Sequence, residues 1–183
     1  MRIAVVGAQN VGKTTFVADF LLKFPEYISP KVSYKELVEK HGLKINQETG
    51  EGSQAVIMQA LSDSIEKNSG ENVIFDRCLV DNYVYSYCAY LKGKVSPEFI
   101  EASKEKMFEH LKFLEMIVFI PVSVAVEIQS DKQRDADRNF IDLVNRVFVE
   151  ILLEISKRFS IKIVVLSGSR EERVKEIFSK LSM

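Results

Sequence analysis

Two rhythms of apolar residues alternate along this chain. Arg2 to Val6 (RIAVV) is a β-branched run closed by Gly7, which predicts a buried strand, and Lys13 to Phe24 then sets Phe16, Val17, Phe20, Leu21 and Phe24 at helical spacing. Pro25 and Pro30 bracket an irregular segment, with a strand expected somewhere before Tyr34. Ser33-x-x-Glu36 reads as a capping box opening a short helix that ends near His41-Gly42, and the polar stretch Ile45 to Gly52 predicts a loop. Gln54, Ile57, Met58, Leu61 and Ile65 share one helix face, after which Asn72 to Phe75 (NVIF) forms a strand running into Asp76. Val80 to Leu91 is an apolar, Tyr-rich helix. Ser96-Pro97-Glu98 supplies the N-cap, first-turn proline and acidic first turn of another helix, reaching about Lys112. Glu115 to Ile120 predicts a strand stopped by Pro121. Phe140, Val144, Val147, Phe148, Ile151, Leu152 and Ile155 mark a long amphipathic helix; Ile161 to Leu166 is the last strand, and Ser169 caps the last helix.

Strands that are apolar throughout and alternate with helices predict a parallel sheet covered on both faces by right-handed crossovers. The expected class is therefore α/β, doubly wound and mainly parallel. At 183 residues, with no repeat, low-complexity tract or linker-like shift in composition, the chain reads as one domain, 1–183. A net charge of -1, with 25 Lys+Arg against 26 Asp+Glu, carries no electrostatic footprint for nucleic acid or an anionic membrane. The two cysteines, Cys78 and Cys88, fit no metal-ligand spacing and read as small buried hydrophobes. No apolar run approaches the roughly 20 residues that span a bilayer, and the N-terminal run is too short for a signal peptide, so a reduced, cytoplasmic setting is expected.

One segment carries strong chemistry. Gly7-Ala8-Gln9-Asn10-Val11-Gly12-Lys13-Thr14 is G-x-x-x-x-G-K-T between a predicted strand and a predicted helix, the context in which that motif binds a nucleoside triphosphate. Gly7 permits a tight turn and Gly12 lets backbone N–H groups close on an anion. The run from Asn10 and Val11 through Thr15 then offers the main chain and helix dipole to the phosphates. Lys13 is expected to reach the β- and γ-phosphates, and the Thr14 hydroxyl to ligate Mg²⁺. The loop specifies a nucleotide, with ATP and Mg²⁺ as the expected pair, and leaves the reaction open.

Two further places bear on the reaction. Asp76 stands at the carboxyl end of a buried strand, where open α/β sheets bind ligands. It fits the Mg²⁺ shell, a base for an acceptor hydroxyl, or the plain role of capping the next helix. Arg77 beside it offers a fork suited to phosphate, or is simply a solvated arginine. The alternating charges of Asp131 to Asn139 are ordinary for a solvated segment. Arg134 and Arg138 nevertheless stand where a lid over bound nucleotide, at about 122–139, would bring guanidinium groups to the transferring phosphoryl.

At these three places, GAQNVGKT at 7–14, FDRCLVDNYVYSY at 75–87 and D-x-x-R-D-x-D-x-x-F from Asp131 to Phe140, the chain resembles the P-loop kinases of the nucleotide and nucleoside kinase type. Within that group it is similar to the small AAA-type ATP-binding proteins of bacteria and phages related to ribosylnicotinamide kinase and thymidylate kinase. The resemblance implies that Asp76 serves metal or an acceptor hydroxyl, that Arg77 serves an acceptor phosphate, and that Arg134 and Arg138 are the lid arginines. It also implies that adenine is held near Ser167 to Arg170. The absence of Asp-x-x-Gly and Thr-Lys-x-Asp signatures argues against a GTPase switch.

The acceptor pocket is expected between the phosphate loop, the 25–35 segment and the helices that follow. Gln54 with Met58, and Asp81 with Tyr85, are each one turn apart and could read a base or sugar, although Met58 and Tyr85 also suit a core. His41 reads as a partner for a helix C-terminus, and His110 as an equally ordinary structural residue. The expected activity is Mg²⁺-ATP-dependent phosphoryl transfer to a nucleoside monophosphate, nucleoside or similar small molecule. Two alternatives stay open: an ATPase or switch with a protein or nucleic-acid partner, and a kinase acting on a hydroxyl within DNA or RNA. A homodimer is compatible with the composition, and a membrane partner is not expected.

Overall fold

The apolar runs of the sequence become the strands of one parallel sheet. The computed structural model describes residues 1–30, 34–68, 70, 72–122 and 138–181, and of 34–36 the backbone alone. Along the chain lie β1 (Arg2–Val6), α1 (Lys13–Lys23), α2 (Tyr34–His41), a 3₁₀ turn (Asn46–Glu48), α3 (Glu51–Lys67), β2 (Val73–Asp76) and α4 (Leu79–Tyr90). They are followed by α5 (Pro97–Leu111), β3 (Met116–Phe119), α6 (Arg138–Arg158), β4 (Lys162–Val165) and α7 (Arg170–Leu181). The strand order is β2-β1-β3-β4, all pairs parallel.

β1 is central, and Ile3 to Val6 are fully buried, which is why RIAVV shows no polar alternation. Ile3, Val5 and Val6 each contribute about 1.5–3 kcal/mol by leaving water. β4 lies at the edge, with Lys162 and Val165 exposed. Helices α1 and α7 pack on each other, while α4 packs against α3, α5 and α6. With right-handed crossovers these two groups cover opposite faces, giving the doubly wound α/β fold. Chain direction across the sheet reverses beside β1, so ligands are expected at the carboxyl ends there.

Two local expectations change. Of the strand sought between Pro25 and Tyr34, the described residues 25–30 form a single bridge: Ile28 N–H donates to the Asn72 carbonyl and the Ile28 carbonyl accepts from Ile74 N–H, both at 2.9 Å. Pro30, which lacks an N–H, stands two residues on. The 45–52 loop is shorter than expected, since residues 46–48 form a 3₁₀ turn and α3 already starts at Glu51. The carboxylate of Glu51 accepts from Ser96 N at 3.0 Å and Ser96 Oγ at 2.9 Å, a tertiary anchor that local polarity does not encode. The capping box at Ser33 lies outside the described residues; α2 does end at His41, with Gly42 at φ 59. His110 is buried between α3 and α5, its Nε2 2.6 Å from Ser62 Oγ and 3.0 Å from Glu66 Oε1. Both cysteines are buried and free, and burial pushes both thiols up. Among the described residues no helix is long and apolar enough to cross a membrane.

Gly7 is the position where the fold demands glycine. Its φ is +149, and an added Cβ would collide with the Ile120 carbonyl of the neighbouring chain segment. We expect Gly7→Ala to cost about 2–4 kcal/mol in urea denaturation. Gly42→Ala, where φ is +59 and nothing stands within 4 Å, should cost about 1 kcal/mol. Equal costs at the two sites would contradict the steric assignment.

Candidate functional site

The loop joining β1 to α1 wraps the carboxyl end of the central strand. Gly12 takes φ 88 as the N-cap of α1, whose N-terminus receives no side-chain cap, leaving its first turn open to an anion. Lys13 is buried, and its Nζ donates to the carbonyls of Gly7 and Ala8, both at 2.6 Å. The ammonium is therefore curled back over the loop it follows.

Register then brings in β2. Val5 pairs with Asp76, so the strand-end carboxylate stands level with the start of the loop. Thr14 Oγ1 donates to Asp76 Oδ2 at 2.6 Å, and Asp76 Oδ1 is buried with no hydrogen-bond partner. A hydroxyl and a carboxylate meeting beside an open helix N-terminus form an oxygen-only donor set suited to a hard divalent cation.

Arg77 departs from the strand at φ 84, an uncommon conformation for a residue with a Cβ, fixed by a 3.0 Å bond from its N–H to the Val5 carbonyl. Cys78 is the N-cap of α4, and Asp81 completes its capping box by accepting from Cys78 N at 3.1 Å through Oδ2. Asp81 Oδ1 is buried without a hydrogen bond. Burial raises this carboxyl from its usual 3.8 to about 6, opposed by the Lys13 and Arg77 charges and reinforced by Asp76. Asp81 thus sits in the electrostatic reach of the loop lysine.

One turn on, the buried Tyr85 hydroxyl donates to Gln9 Oε1 at 2.6 Å, and Gln9 Nε2 is buried with no partner. Three buried polar atoms without partners, on Gln9, Asp76 and Asp81, thus belong to residues at one end of the sheet. Folded proteins leave few such groups, and those they do leave call for a specific explanation. Gln54 is buried and bonded within the protein: its Nε2 donates to Thr49 Oγ1 at 2.8 Å and its Oε1 accepts from Asn82 Nδ2 at 2.7 Å. Its amide therefore ties α3 to α4. Met58 is half-buried against the core.

Arg134 lies outside the described residues. Arg138 opens α6 and pairs with Asp142 one turn away, Nε 3.1 Å from Oδ1. Two residues later Phe140 is buried, with its ring 6.4 Å from that of Tyr85, which places the start of α6 against the Tyr85 side of the site.

A cavity of about 300 Å³ opens beside the loop, lined by Asn10, Gly12, Thr15, Ser169, Arg170 and Arg173. Arg170 makes a two-pronged pair with Asp19, at 2.9 and 2.6 Å, which joins α7 to α1 at the edge of the cavity. A larger groove between the same helices sets apolar Leu22, Val174 and Phe178 beside charged Asp19, Lys23 and Lys175, and none of its lining residues belongs to the phosphate loop. Gln9 and Arg173 are buried residues beside the phosphate loop that sequence reasoning passed over. Gln9 occupies a variable position of the loop motif, and Arg173 looks like any arginine on a charged helix.

Comparison with known proteins bears on the family and the fold. A family model described as an AAA domain matches residues 2–173. Deoxyadenosine kinase from M. mycoides, solved with dCMP and dCDP, is similar over 100% of this chain and 99% of its own, with a TM-score of 0.76 at 18% identity. NadR in complex with NR is similar over 98% of this chain but 49% of its own, with a TM-score of 0.72 at 18% identity. Thymidylate kinase from Candida albicans is similar over 99% of this chain and 90% of its own, with a TM-score of 0.66 at 16% identity.

The raised Asp81 carboxyl has a measurable consequence. A carboxyl raised on folding stabilises the native state in its protonated form, fully below about 3.8, and that contribution is lost as pH rises through about 6. Asp81→Asn keeps an acceptor for Cys78 N–H without the buried charge. We expect the variant to melt above the parent protein at pH 7.5 and level with it at pH 4. A gap that does not change with pH would contradict the assignment.

Proposed function

The chain belongs to the AAA domain family and has the fold of P-loop nucleoside and nucleotide kinases, and we propose that it transfers the terminal phosphoryl group of Mg²⁺-ATP to a nucleoside or nucleoside monophosphate. The observation that carries this reading is the 2.6 Å contact between Thr14 and Asp76. It joins the phosphate loop to a strand-end carboxylate in the manner that phosphoryl transfer requires. Thr14 and the buried, unpartnered oxygen of Asp76 would hold Mg²⁺, which when bound supplies charge neutralisation at the β- and γ-oxygens. Gly7, Asn10, Val11, Gly12, Thr14 and Thr15 bring backbone and helix dipole to the phosphates, and Lys13 adds a cation. The base of ATP fits the 300 Å³ cavity bounded by Ser169 and Arg170.

The acceptor fits on the other side of Asp76, where Arg77, Asp81, Tyr85 and Gln9 converge. Arg77 carries strained backbone and a guanidinium beside the strand end, which suits a residue held in place for an anionic acceptor. A monophosphate is already ionised and needs a cation to offset repulsion between two anions. We therefore favour a phosphate over a hydroxyl acceptor. Arg138, exposed at the start of α6 and paired with Asp142, is the lid arginine of this reading within the described residues.

Product analysis with γ-labelled ATP and a panel of nucleosides, nucleotides and oligonucleotides tests the reading. We expect label on a nucleotide; label released only as inorganic phosphate would overturn it in favour of an ATPase. Lys13→Ala should lower kcat by at least about 10²-fold with an unchanged far-UV spectrum. With the acceptor identified, Arg77→Ala should raise its KM strongly and leave the KM for ATP alone, while Asp76→Asn should act through Mg²⁺ dependence. If Asp76→Asn instead abolishes kcat at every Mg²⁺ concentration and Arg77→Ala is mild, the acceptor is a hydroxyl.

A further inference from the structure

A second cation stands behind the phosphate loop. Arg173 lies in the first turn of α7 and is 7% exposed, although nothing in the loop motif calls for it. Its Nη1 donates to the Val11 carbonyl at 2.9 Å, and a Cβ built on Gly12 would lie 3.3 Å from the same nitrogen. The guanidinium therefore rests directly on the Val11–Gly12 peptide. Its Nε is buried without a partner, and among the described residues no carboxylate pairs with it. Arg170, three residues earlier on the same helix, is exposed and fully paired with Asp19.

Burying an unpaired guanidinium is costly, and burial pulls the Arg173 pKa below its ordinary value, though an arginine stays charged. The native fold thus keeps a positive charge it does not itself neutralise, against the loop that receives phosphate. Geometry adds a directional effect. In a trans peptide the carbonyl and the following N–H point opposite ways, so drawing the Val11 carbonyl toward α7 turns the Gly12 N–H away from it. The φ of +88 at Gly12 accommodates that orientation.

We propose that Arg173 is a positioning residue for polyphosphate binding: it holds the Val11 carbonyl back, aims the Gly12 N–H at the phosphate chain, and supplies a positive charge that bound phosphate neutralises. The inference rests on the nucleotide-binding reading above and adds to it a residue outside the loop motif.

The test uses the 183-residue chain, with Arg173→Met removing charge and donor, Arg173→Gln keeping a donor, and Arg173→Lys keeping the charge. Calorimetric affinity for ATP and for inorganic tripolyphosphate is measured, together with the melting temperature with and without each ligand. We expect Arg173→Met to melt at or above the wild type without ligand. It should lose about tenfold in affinity for ATP and tripolyphosphate alike, and most of the ligand-induced rise in Tm. Arg173→Lys should recover most of the affinity, and Arg173→Gln carries the same test should the Met variant not fold. Wild-type affinity in the charge-removing variants would overturn the proposal. So would a lowered ligand-free Tm with the ligand-induced rise intact, which would make Arg173 a structural strut. A wild-type chain that binds neither ligand would instead overturn the nucleotide-binding reading, and this inference with it.

Discussion

The contact between Thr14 Oγ1 and Asp76 Oδ2 joins two parts of the chain that are 62 residues apart, and the arrangement of the site depends on it. One partner opens α1, the other ends β2, and both are held by β1, whose Val5 pairs with Asp76 and whose last residue precedes the loop. A one-residue slip in that register would turn Asp76 to the other face of the sheet and remove the carboxylate from the loop. The fully buried, β-branched interior of β1 is what makes such a slip costly.

Around this contact the protein keeps a set of charges and polar atoms that it does not satisfy internally. Asp76 Oδ1, Asp81 Oδ1, Gln9 Nε2 and Arg173 Nε are all buried without partners. Lys13 leans on two carbonyls of its own loop, and Arg77 carries a left-handed backbone. Arg2 Nε and Ser86 Oγ are likewise buried without partners, whereas the Thr49–Gln54–Asn82 chain is satisfied. The four atoms gathered around the phosphate loop are the local cost expected of a site preorganised for a charged ligand.

Helix α4 connects the two sides of the site. Its N-cap follows Arg77, its first turn carries Asp81, and its second carries Tyr85, which reaches Gln9 in the phosphate loop. Through Asn82 and Gln54 it is also fixed to α3. A shift of this helix would move the strand-end arginine, the buried carboxylate and the loop glutamine together, so the strand end and the phosphate loop are mechanically joined.

The sequence by itself determined the order of strands and helices, the parallel sheet, the phosphate loop and the strand-end Asp76-Arg77 pair. Each of these is written in consecutive residues or in a fixed period, since a loop that cradles an anion is closed by its own glycines and a buried strand by its own apolar run. Tertiary structure decided the rest. Gln54, legible as a polar residue on a helix face, proved to be bonded within the scaffold because Asn82 on another helix meets it. Asp81 became a buried, raised carboxyl only when α4 packed against its neighbours, and Tyr85 found Gln9 across 76 residues. Arg173 reaches Val11 across 162 residues, so no local pattern distinguishes it from Arg170 three positions before. Burial and partnership at that range follow from sheet register and helix packing, which bring residues together in space without leaving any periodic trace in the chain.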